Sequence, residues 1–145
     1  MSETVTVGSI MMTHPRLDAT AHKPVTIEED KTVQEALQMM TEYQIRHLPV
    51  TKNEKIVGII SDRDIKWAIA VFGKAKAGAV WGGNKLPVGE ICHLNPYSVT
   101  PNTPLREVAK TMAEKHYGSA IVMENGKLAG IVTTIDICRY VAEHL

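Results

Sequence analysis

Short runs of aliphatic and β-branched residues alternate along the chain with segments whose apolar residues recur every three or four positions. Val25–Ile27, Leu48–Val50 and Ile56–Ile60 have the composition of strands. The apolar residues that follow Thr32 recur at helical spacing, and a second such stripe follows Ser61. This part of the chain is therefore predicted to form a β-α-β-β-α unit.

The second half of the chain repeats the pattern. Residues 24–65 align without a gap on residues 96–137, and 11 of the 42 aligned positions are identical. A repeat of this length indicates two copies of one supersecondary unit, each too small to bury its apolar face alone. We therefore expect an α+β fold in which the two units pack on each other.

Local signals mark where the helices and turns begin. Thr32 and Glu35 have the spacing of a capping box, in which each side chain accepts a hydrogen bond from the other residue's backbone. In the second copy, Pro104 is predicted at the first helical position after Thr103. The Asn125-Gly126 pair predicts a tight hairpin turn between two strands.

A short lead-in segment precedes each copy. Val7–Met11 resembles Val88–Cys92 at an offset of 81 positions, whereas the repeats themselves are 72 positions apart, so the first copy carries nine extra residues. They lie in an insertion at residues 14–23, which is polar and predicted to be a surface loop. The predicted organisation is a first repeat at residues 1–72, a linker at 73–87 and a second repeat at 88–145.

Each copy has a hydroxyl residue and an aspartate at the corner between its last strand and the following helix. Ser61 precedes Asp64 by three positions, and Thr133 precedes Asp136 in the same way. One interpretation is structural, since such pairs cap helix N-termini. The other is functional, because a carboxylate beside a hydroxyl can accept hydrogen bonds from the vicinal hydroxyls of a ribose. The same atoms can serve both roles.

Composition and charge narrow the functional classes. The 145 residues carry 16 basic and 16 acidic side chains, and no basic stripe predicts binding to nucleic acid. No apolar run is long enough to cross a membrane, and no secretion signal is recognisable, so a cytoplasmic location is expected. Cys92 and Cys138 are predicted to be reduced core residues. The histidines lack the spacing of metal ligands, and no catalytic triad is recognisable.

Four segments together resemble the tandem domains of the cystathionine β-synthase (CBS) family, a pair called a Bateman module. The resemblance covers nearly the whole chain, and the order and duplication of the motifs make it specific. These segments are IMMT at Ile10–Thr13, YQIRHLPV at Tyr43–Val50, VGIISDRDI at Val57–Ile65 and LAGIVTTIDI at Leu128–Ile137.

The resemblance implies two β-α-β-β-α repeats packed around a pseudo-twofold axis, with two clefts that bind AMP, ADP, ATP or S-adenosylmethionine. One implied site combines a ribose-binding corner with the adenine-facing segments of the other repeat: Ser61, Asp64, Pro96, Tyr97, Ser98, His116, Tyr117, Gly118, Ser119 and Ala120. The second implied site is formed by Thr13, Pro24, Val25, Thr26, Ile45, Arg46, His47, Leu48, Pro49, Thr133 and Asp136.

The two implied sites differ in charge. Arg46 and His47 offer cationic donors to the second site, while the aligned residues Gly118 and Ser119 do not. Charge-assisted donors suit phosphates, so the site at Asp136 is expected to bind nucleotide better. The alternative for Arg46 and His47 is a solvated helix end, where cations offset the helix dipole.

The resemblance implies a non-catalytic regulatory protein that binds an adenine nucleotide, forms a homodimer and acts on an unidentified protein partner. An alternative is a protein–protein interaction or dimerisation module without a physiological small ligand, in which Ser61 and Thr133 only cap helices. A third class is an enzyme that uses Cys92 or His116.

Overall fold

The described part of the protein consists of two compact units of mixed α+β structure. The computed structural model describes residues 4–11, 25–75 and 85–145. The unit named here the first-repeat unit comprises residues 25–75 and 85–96, and the second-repeat unit comprises residues 4–11 and 97–145.

The first-repeat unit is a four-stranded sheet with two helices. The strands occur in the order β1-β2-β3-β4; β1 is parallel to β2, and the pairs β2–β3 and β3–β4 are antiparallel. Its elements are β1 (Ile27–Glu28), α1 (Val33–Tyr43), β2 (His47–Lys52), β3 (Lys55–Ser61), α2 (Asp62–Ala75) and β4 (His93–Leu94).

The second-repeat unit has the same order of elements without a counterpart of β4 among its described residues. β5 is parallel to β6, and β6 is antiparallel to β7. Its elements are β5 (Ser98–Val99), α3 (Leu105–Lys115), β6 (Ser119–Glu124), β7 (Lys127–Thr133) and α4 (Thr134–His144). The predicted α+β class and the two β-α-β-β-α repeats are confirmed.

The local signals in the sequence produce the expected caps and turns. At the start of α1, the Thr32 N–H donates to Glu35 Oε2 over 2.8 Å, and the Glu35 N–H donates to Thr32 Oγ1 over 3.2 Å. Asn125 and Gly126 adopt φ angles of 53° and 76° between β6 and β7. Positive φ at both central residues matches the right-handed twist of a hairpin, which is why this dipeptide favours the turn.

Each unit has its own apolar core between sheet and helices. In the first-repeat unit, Leu48 and Ile60 from the strands pack with Val33 and Ile65 from the helices, and all four are fully buried. Burying such a side chain contributes about 1.5–3 kcal/mol relative to leaving it exposed. In the second-repeat unit, Val122 belongs to an equivalent cluster. The helical stripes are therefore what attach α1, α2 and α3 to their sheets.

The lead-in segments pack against the other repeat rather than against their own. The Val88 N–H donates to Lys31 O over 2.8 Å, and the Val7 N–H donates to Thr103 O over 2.9 Å. Residues just before the lead-ins accept from the helix starts: the Val33 N–H of α1 donates to Leu86 O, and the Leu105 N–H of α3 donates to Val5 O, both over 2.8 Å. These bonds satisfy backbone donors that the first turn of a helix leaves unpaired. The compact units therefore do not coincide with the segments 1–72 and 88–145. The first lead-in belongs to the second-repeat unit, and the second lead-in belongs to the first-repeat unit.

The predicted position of Pro104 is wrong by one residue. Pro104 has an extended backbone (φ −59°, ψ 134°), and α3 begins at Leu105. The hydroxyl of Thr103 is not a cap, since Thr103 Oγ1 accepts the Thr100 N–H over 3.2 Å. The start of α3 is instead satisfied by the carbonyl of Val5.

The last helix buries only part of its apolar surface. Ile137 and Tyr140 pack against the core, whereas Ile135 and Val141 remain 60% and 45% exposed. The predicted insertion at residues 14–23 lies outside the described residues. Within the part that the structure describes, no helix has the length and apolarity needed to span a bilayer.

Candidate functional site

The first strand-to-helix corner is a complete capping box. The Ser61 N–H donates to Asp64 Oδ2 over 3.0 Å, and the Asp64 N–H donates to Ser61 Oγ over 3.1 Å. The corner forms here because β3 ends at Ser61 and α2 begins at Asp62, which places Asp64 in the first helical turn. The structural interpretation of this pair is therefore correct for one of its carboxylate oxygens.

The second corner has the same architecture. The Thr133 N–H donates to Asp136 Oδ2 over 2.8 Å, and the Thr133 hydroxyl donates to the same oxygen over 3.0 Å. The Asp136 N–H completes the box by donating to Thr133 Oγ1 over 3.4 Å. Both aspartates thus direct Oδ2 at their own backbone, and a ligand would have to engage Oδ1.

The two Oδ1 atoms have different neighbours. Asp64 Oδ1 lies 3.1 Å from His93 Nε2 on β4, within hydrogen-bonding distance. Asp136 Oδ1 lies 3.7 Å from Arg139 Nη1, which is an ion pair but too long for a hydrogen bond. The side chains of Asp64 and Asp136 are 24% and 10% exposed, so both carboxylates are accessible from one side.

Sequence reasoning missed His93. The histidine is 29 residues from its partner, so no local spacing connects the two. The 81-position offset of the lead-ins aligns His93 with Met12, which is a difference in chemistry between the copies. That difference is the only sequence signal for the residue, and it does not reveal the partner.

In the first-repeat unit, β1 and β2 bring together several residues of the second implied site. Val25 and Thr26 directly precede β1, and β1 pairs with β2 through Ile27 and Val50. The side chains of Leu48 and Pro49 are fully buried, so these two residues are available to a ligand only through their backbones. Pro49 has no N–H, so it donates no backbone hydrogen bond to the segment beside β2.

The aligned position in the second-repeat unit shows the effect of this proline. There the Ile121 N–H donates to Tyr97 O over 2.8 Å. In the repeat alignment Ile121 corresponds to Pro49 and Tyr97 to Val25. The same bond cannot form in the first-repeat unit, because Pro49 has no N–H to donate to the Val25 carbonyl.

The second-repeat unit presents an aromatic surface beside β6. The rings of Tyr97 and Tyr117 lie 5.3 Å apart, centre to centre, with an interplanar angle of 30°. Tyr117 is 42% exposed, whereas Ala120 is fully buried and offers only its backbone. His116, with φ of 62°, ends α3 in a left-handed conformation and directs the chain into this surface.

Backbone bonds attach each corner to the residue that precedes the first strand of its hairpin, β2 or β6. The Thr134 N–H donates to Gly118 O over 3.1 Å, and the Asp62 N–H donates to Arg46 O over 3.0 Å. Of the other implied site residues, Ser98 lies in β5, His47 in β2 and Ser119 in β6; Ile45 lies between α1 and β2, and Pro96 precedes β5; Thr13 and Pro24 lie outside the described residues.

A surface groove of about 380 Å³ lies on the helical side of the first-repeat unit. Ile45 and Arg46 line it together with the ends of α1 and α2. Lys66 in the groove pairs with Asp62 at 3.7 Å, an exposed i,i+4 ion pair. The groove therefore combines apolar side chains with two cations, Arg46 and Lys66, and the carboxylate of Asp62.

Cys92 has the properties of an inert thiol. Burial raises its pKa above the ordinary value, and the negative charges of Glu29 and Asp64 act in the same direction. A raised pKa lowers the thiolate fraction at neutral pH, and the thiolate is the nucleophilic form. The interpretation of this chain as an enzyme with Cys92 as nucleophile is therefore disfavoured.

Comparison with protein families matches the description "CBS domain" to two segments, residues 7–71 and 88–143. The chain belongs to the CBS domain family. The two matched segments correspond to a tandem pair of CBS domains, as the sequence motifs predict.

Several relatives extend over most of the CBS pair. Hypoxic response protein 1 of Mycobacterium tuberculosis is 31% identical over 119 residues, which cover 81% of this chain and 78% of that protein. The CBS domain pair of protein MJ0100, solved in complex with 5′-methylthioadenosine and S-adenosyl-L-methionine, has a TM-score of 0.78 and 25% identity, and the match covers 99% of this chain and all of that one. CBSX2 in complex with AMP has a TM-score of 0.70 and 25% identity, covering 95% and 96% of the two chains.

The matches to two other curated relatives are partial. One covers 80% of this chain and 12% of the relative, and the other covers 33% of this chain and 32% of the relative. The activities of those whole proteins do not transfer to this chain.

Proposed function

We propose that this protein is a non-catalytic regulatory module that binds an adenosine-containing nucleotide, namely AMP, ADP, ATP or S-adenosylmethionine. The observation that carries the proposal is the repeated corner, in which the aspartate caps its helix through Oδ2 and keeps Oδ1 away from the backbone. The complexes of MJ0100 and CBSX2 with adenosine-containing molecules support the ligand class.

The corner suits a ribose for electrostatic and geometric reasons. An ionised carboxylate is an acceptor with several lone pairs, so Oδ1 can accept from a sugar hydroxyl while Oδ2 keeps the cap. Hydrogen bonds to charged groups contribute about 1.5–3 kcal/mol, roughly twice the value of neutral bonds. The cap holds the carboxylate in place before the ligand arrives, which reduces the entropy lost on binding.

Adenine recognition is assigned to backbone groups and an aromatic face. The Val25 carbonyl, which receives no hydrogen bond from Pro49, is the proposed acceptor for the exocyclic amine of the base. In the second-repeat unit the exposed ring of Tyr117 offers a surface for stacking. Both features lie within single units and do not depend on buried side chains.

We further propose that the Asp136 corner binds the sugar more tightly than the Asp64 corner. Asp136 Oδ1 lies 3.7 Å from Arg139 Nη1, which is too long for a hydrogen bond, so this cation leaves the oxygen able to accept one from a ligand. Asp64 Oδ1 already has a hydrogen-bonding partner in His93. This reason is independent of the charges of Arg46 and His47.

Ligand-dependent thermal stabilisation tests the proposal. A ligand that binds only the folded state at a hundredfold excess over its dissociation constant adds about 2.7 kcal/mol to the free energy of unfolding. We expect at least one of AMP, ADP, ATP and S-adenosylmethionine to raise the melting temperature, while 2′,3′-dideoxyadenosine, which lacks the vicinal hydroxyls, has little effect. An unchanged melting temperature with all four ligands at saturating concentration would overturn the function.

A second candidate, a dimerisation module, is favoured by exposed apolar side chains on the helices. Trp67 and Val71 on α2 are 63% and 39% exposed and lie four positions apart, and Ile135 and Val141 on α4 are 60% and 45% exposed. Residues four positions apart share one face of a helix, so a second copy of this chain would cover the Trp67 and Val71 face in an isologous interface. Light scattering after size-exclusion chromatography distinguishes dimer from monomer, and ligand binding and dimerisation are compatible outcomes.

A further inference from the structure

The contact between His93 and Asp64 links the first corner to a separate strand. Antiparallel pairing of Ile59 with His93 places β4 beside β3, the strand that leads into the corner. Gly58 allows this close approach, because a Cβ at that position would lie 2.7 Å from His93 O and 2.8 Å from Cys92 Sγ. The imidazole of His93 is thereby held over Asp64, and Nε2 lies 3.1 Å from Oδ1.

The hydrogen bond uses the oxygen that a sugar needs. Asp64 Oδ2 accepts from the backbone of Ser61, so Oδ1 is the atom available to a ligand hydroxyl. An ionised carboxylate has no proton to donate, so Nε2 of His93 is the donor in this contact. The imidazole and a ribose hydroxyl are therefore donors to the same carboxylate oxygen.

Exposure makes the contact displaceable. The side chain of His93 is 71% exposed and that of Asp64 is 24% exposed. Exposed ion pairs of this kind contribute only about 0.2–1 kcal/mol, less than a hydrogen bond from a ligand to a charged group. A ribose hydroxyl can replace the imidazole at Oδ1. Its binding free energy is then smaller than at a corner without a histidine, because the His93–Asp64 pair has to be broken first.

We infer that His93 lowers the affinity of the Asp64 corner for a sugar, because its imidazole competes with the sugar hydroxyl for Asp64 Oδ1. This inference rests on the proposed function and adds a mechanism by which two similar corners acquire different affinities. The lead-in of the other copy carries Met12 at the aligned position, and a thioether cannot donate a hydrogen bond to a carboxylate. At the second corner, Arg139 Nη1 lies 3.7 Å from Asp136 Oδ1, too far for the hydrogen bond that His93 makes at the first.

Titration calorimetry with adenosine in the Asp136→Ala background tests this inference, because that background isolates the Asp64 corner and adenosine has no phosphate to interact with the imidazole. We expect His93→Ala to bind adenosine more tightly than the background protein, by up to about fivefold, which corresponds to the upper value of about 1 kcal/mol for an exposed ion pair. His93→Gln retains an N–H donor at a similar distance, and its affinity should remain close to that of the background protein. The affinity for 2′,3′-dideoxyadenosine should be the same in all three proteins.

The outcomes separate the inference from the function on which it rests. Equal or weaker adenosine binding by His93→Ala overturns the competition, because a bystander leaves the affinity unchanged and a ligand contact lowers it. Loss of adenosine binding in the Asp136→Ala background, while the unmodified protein still binds, also overturns the inference and leaves the function at the Asp136 corner. Failure of the unmodified protein to bind any adenosine ligand overturns both.

Discussion

Replacing Asp136 by alanine separates capping from ligand binding. The substitution removes the acceptor of the Thr133 N–H at 2.8 Å, a loss that typically costs about 1 kcal/mol. It also removes a negative charge from the first turn of α4, which contributes about 0.3–1 kcal/mol through the helix dipole. The free energy of unfolding should therefore fall by about 1–2 kcal/mol, and the melting temperature by roughly 3–6 °C for a chain of this size.

The expected effect on binding is larger than the effect on stability. If Asp136 Oδ1 accepts a ribose hydroxyl, alanine loses a charge-assisted hydrogen bond worth about 1.5–3 kcal/mol. AMP affinity should then fall by roughly ten- to a hundredfold. The assay is titration calorimetry with AMP in the Asp64→Ala background, so that only the Asp136 corner contributes, together with thermal unfolding of the same proteins.

Glu35→Ala is the matched control. Glu35 closes the capping box of α1 with the same geometry, since Oε2 accepts the Thr32 N–H at 2.8 Å, but it lies outside both implied sites. This variant should lose about 1 kcal/mol of stability and keep the AMP affinity of its background. If Asp136→Ala behaves like Glu35→Ala, with reduced stability and unchanged affinity, the corner is only a helix cap and the reasoning is refuted.

Three further predictions concern stability, reactivity and assembly. Gly58→Ala should lower the free energy of unfolding by about 1–3 kcal/mol, because the added methyl group would lie 2.7 Å from a backbone oxygen of β4. At Gly126 nothing lies within 4 Å, so Gly126→Ala adds only the strain of positive φ. Urea unfolding should show the larger loss of stability for Gly58→Ala. Under native conditions iodoacetamide should alkylate the exposed Cys138 before Cys92, because burial raises the pKa of the Cys92 thiol. The reverse order, measured by mass spectrometry, would contradict the claim that Cys92 is unreactive. Ile135→Asp should shift a dimer to a monomer in light scattering with little loss of stability, since the side chain is 60% exposed; an unchanged mass would place the interface elsewhere.

Local order in this protein was predictable because its signals act over a few residues. The Thr32–Glu35 box and the two corner pairs depend on side chains that reach backbone groups three positions away, and the Asn125-Gly126 turn depends on residues that tolerate positive φ. Such signals act within a few residues, so one sequence is sufficient to recognise them. The internal repeat then made the β-α-β-β-α order and the corner pairs recognisable twice.

Other features depend on contacts between segments far apart in the chain. The start of α3 was misplaced at Pro104 because the Leu105 N–H is satisfied by Val5, about a hundred residues earlier. No helix periodicity showed that Ile135 would remain exposed while Ile137 packs inward, because that choice depends on how α4 meets its sheet.

The family, the two repeats and the paired hydroxyl and carboxylate residues can be recognised in the amino-acid sequence alone, since local hydrogen bonding and hydrophobic periodicity encode all three. The packing of each lead-in and the hydrogen bond at Asp64 Oδ1 become visible only in the folded unit. The bond from His93 to Asp64 arises from the pairing of β4 with β3, and the pairing of Ile59 with His93, 34 positions apart, follows from packing of the whole unit rather than from any local pattern. The chemical difference between two nearly identical corners therefore resides in the fold.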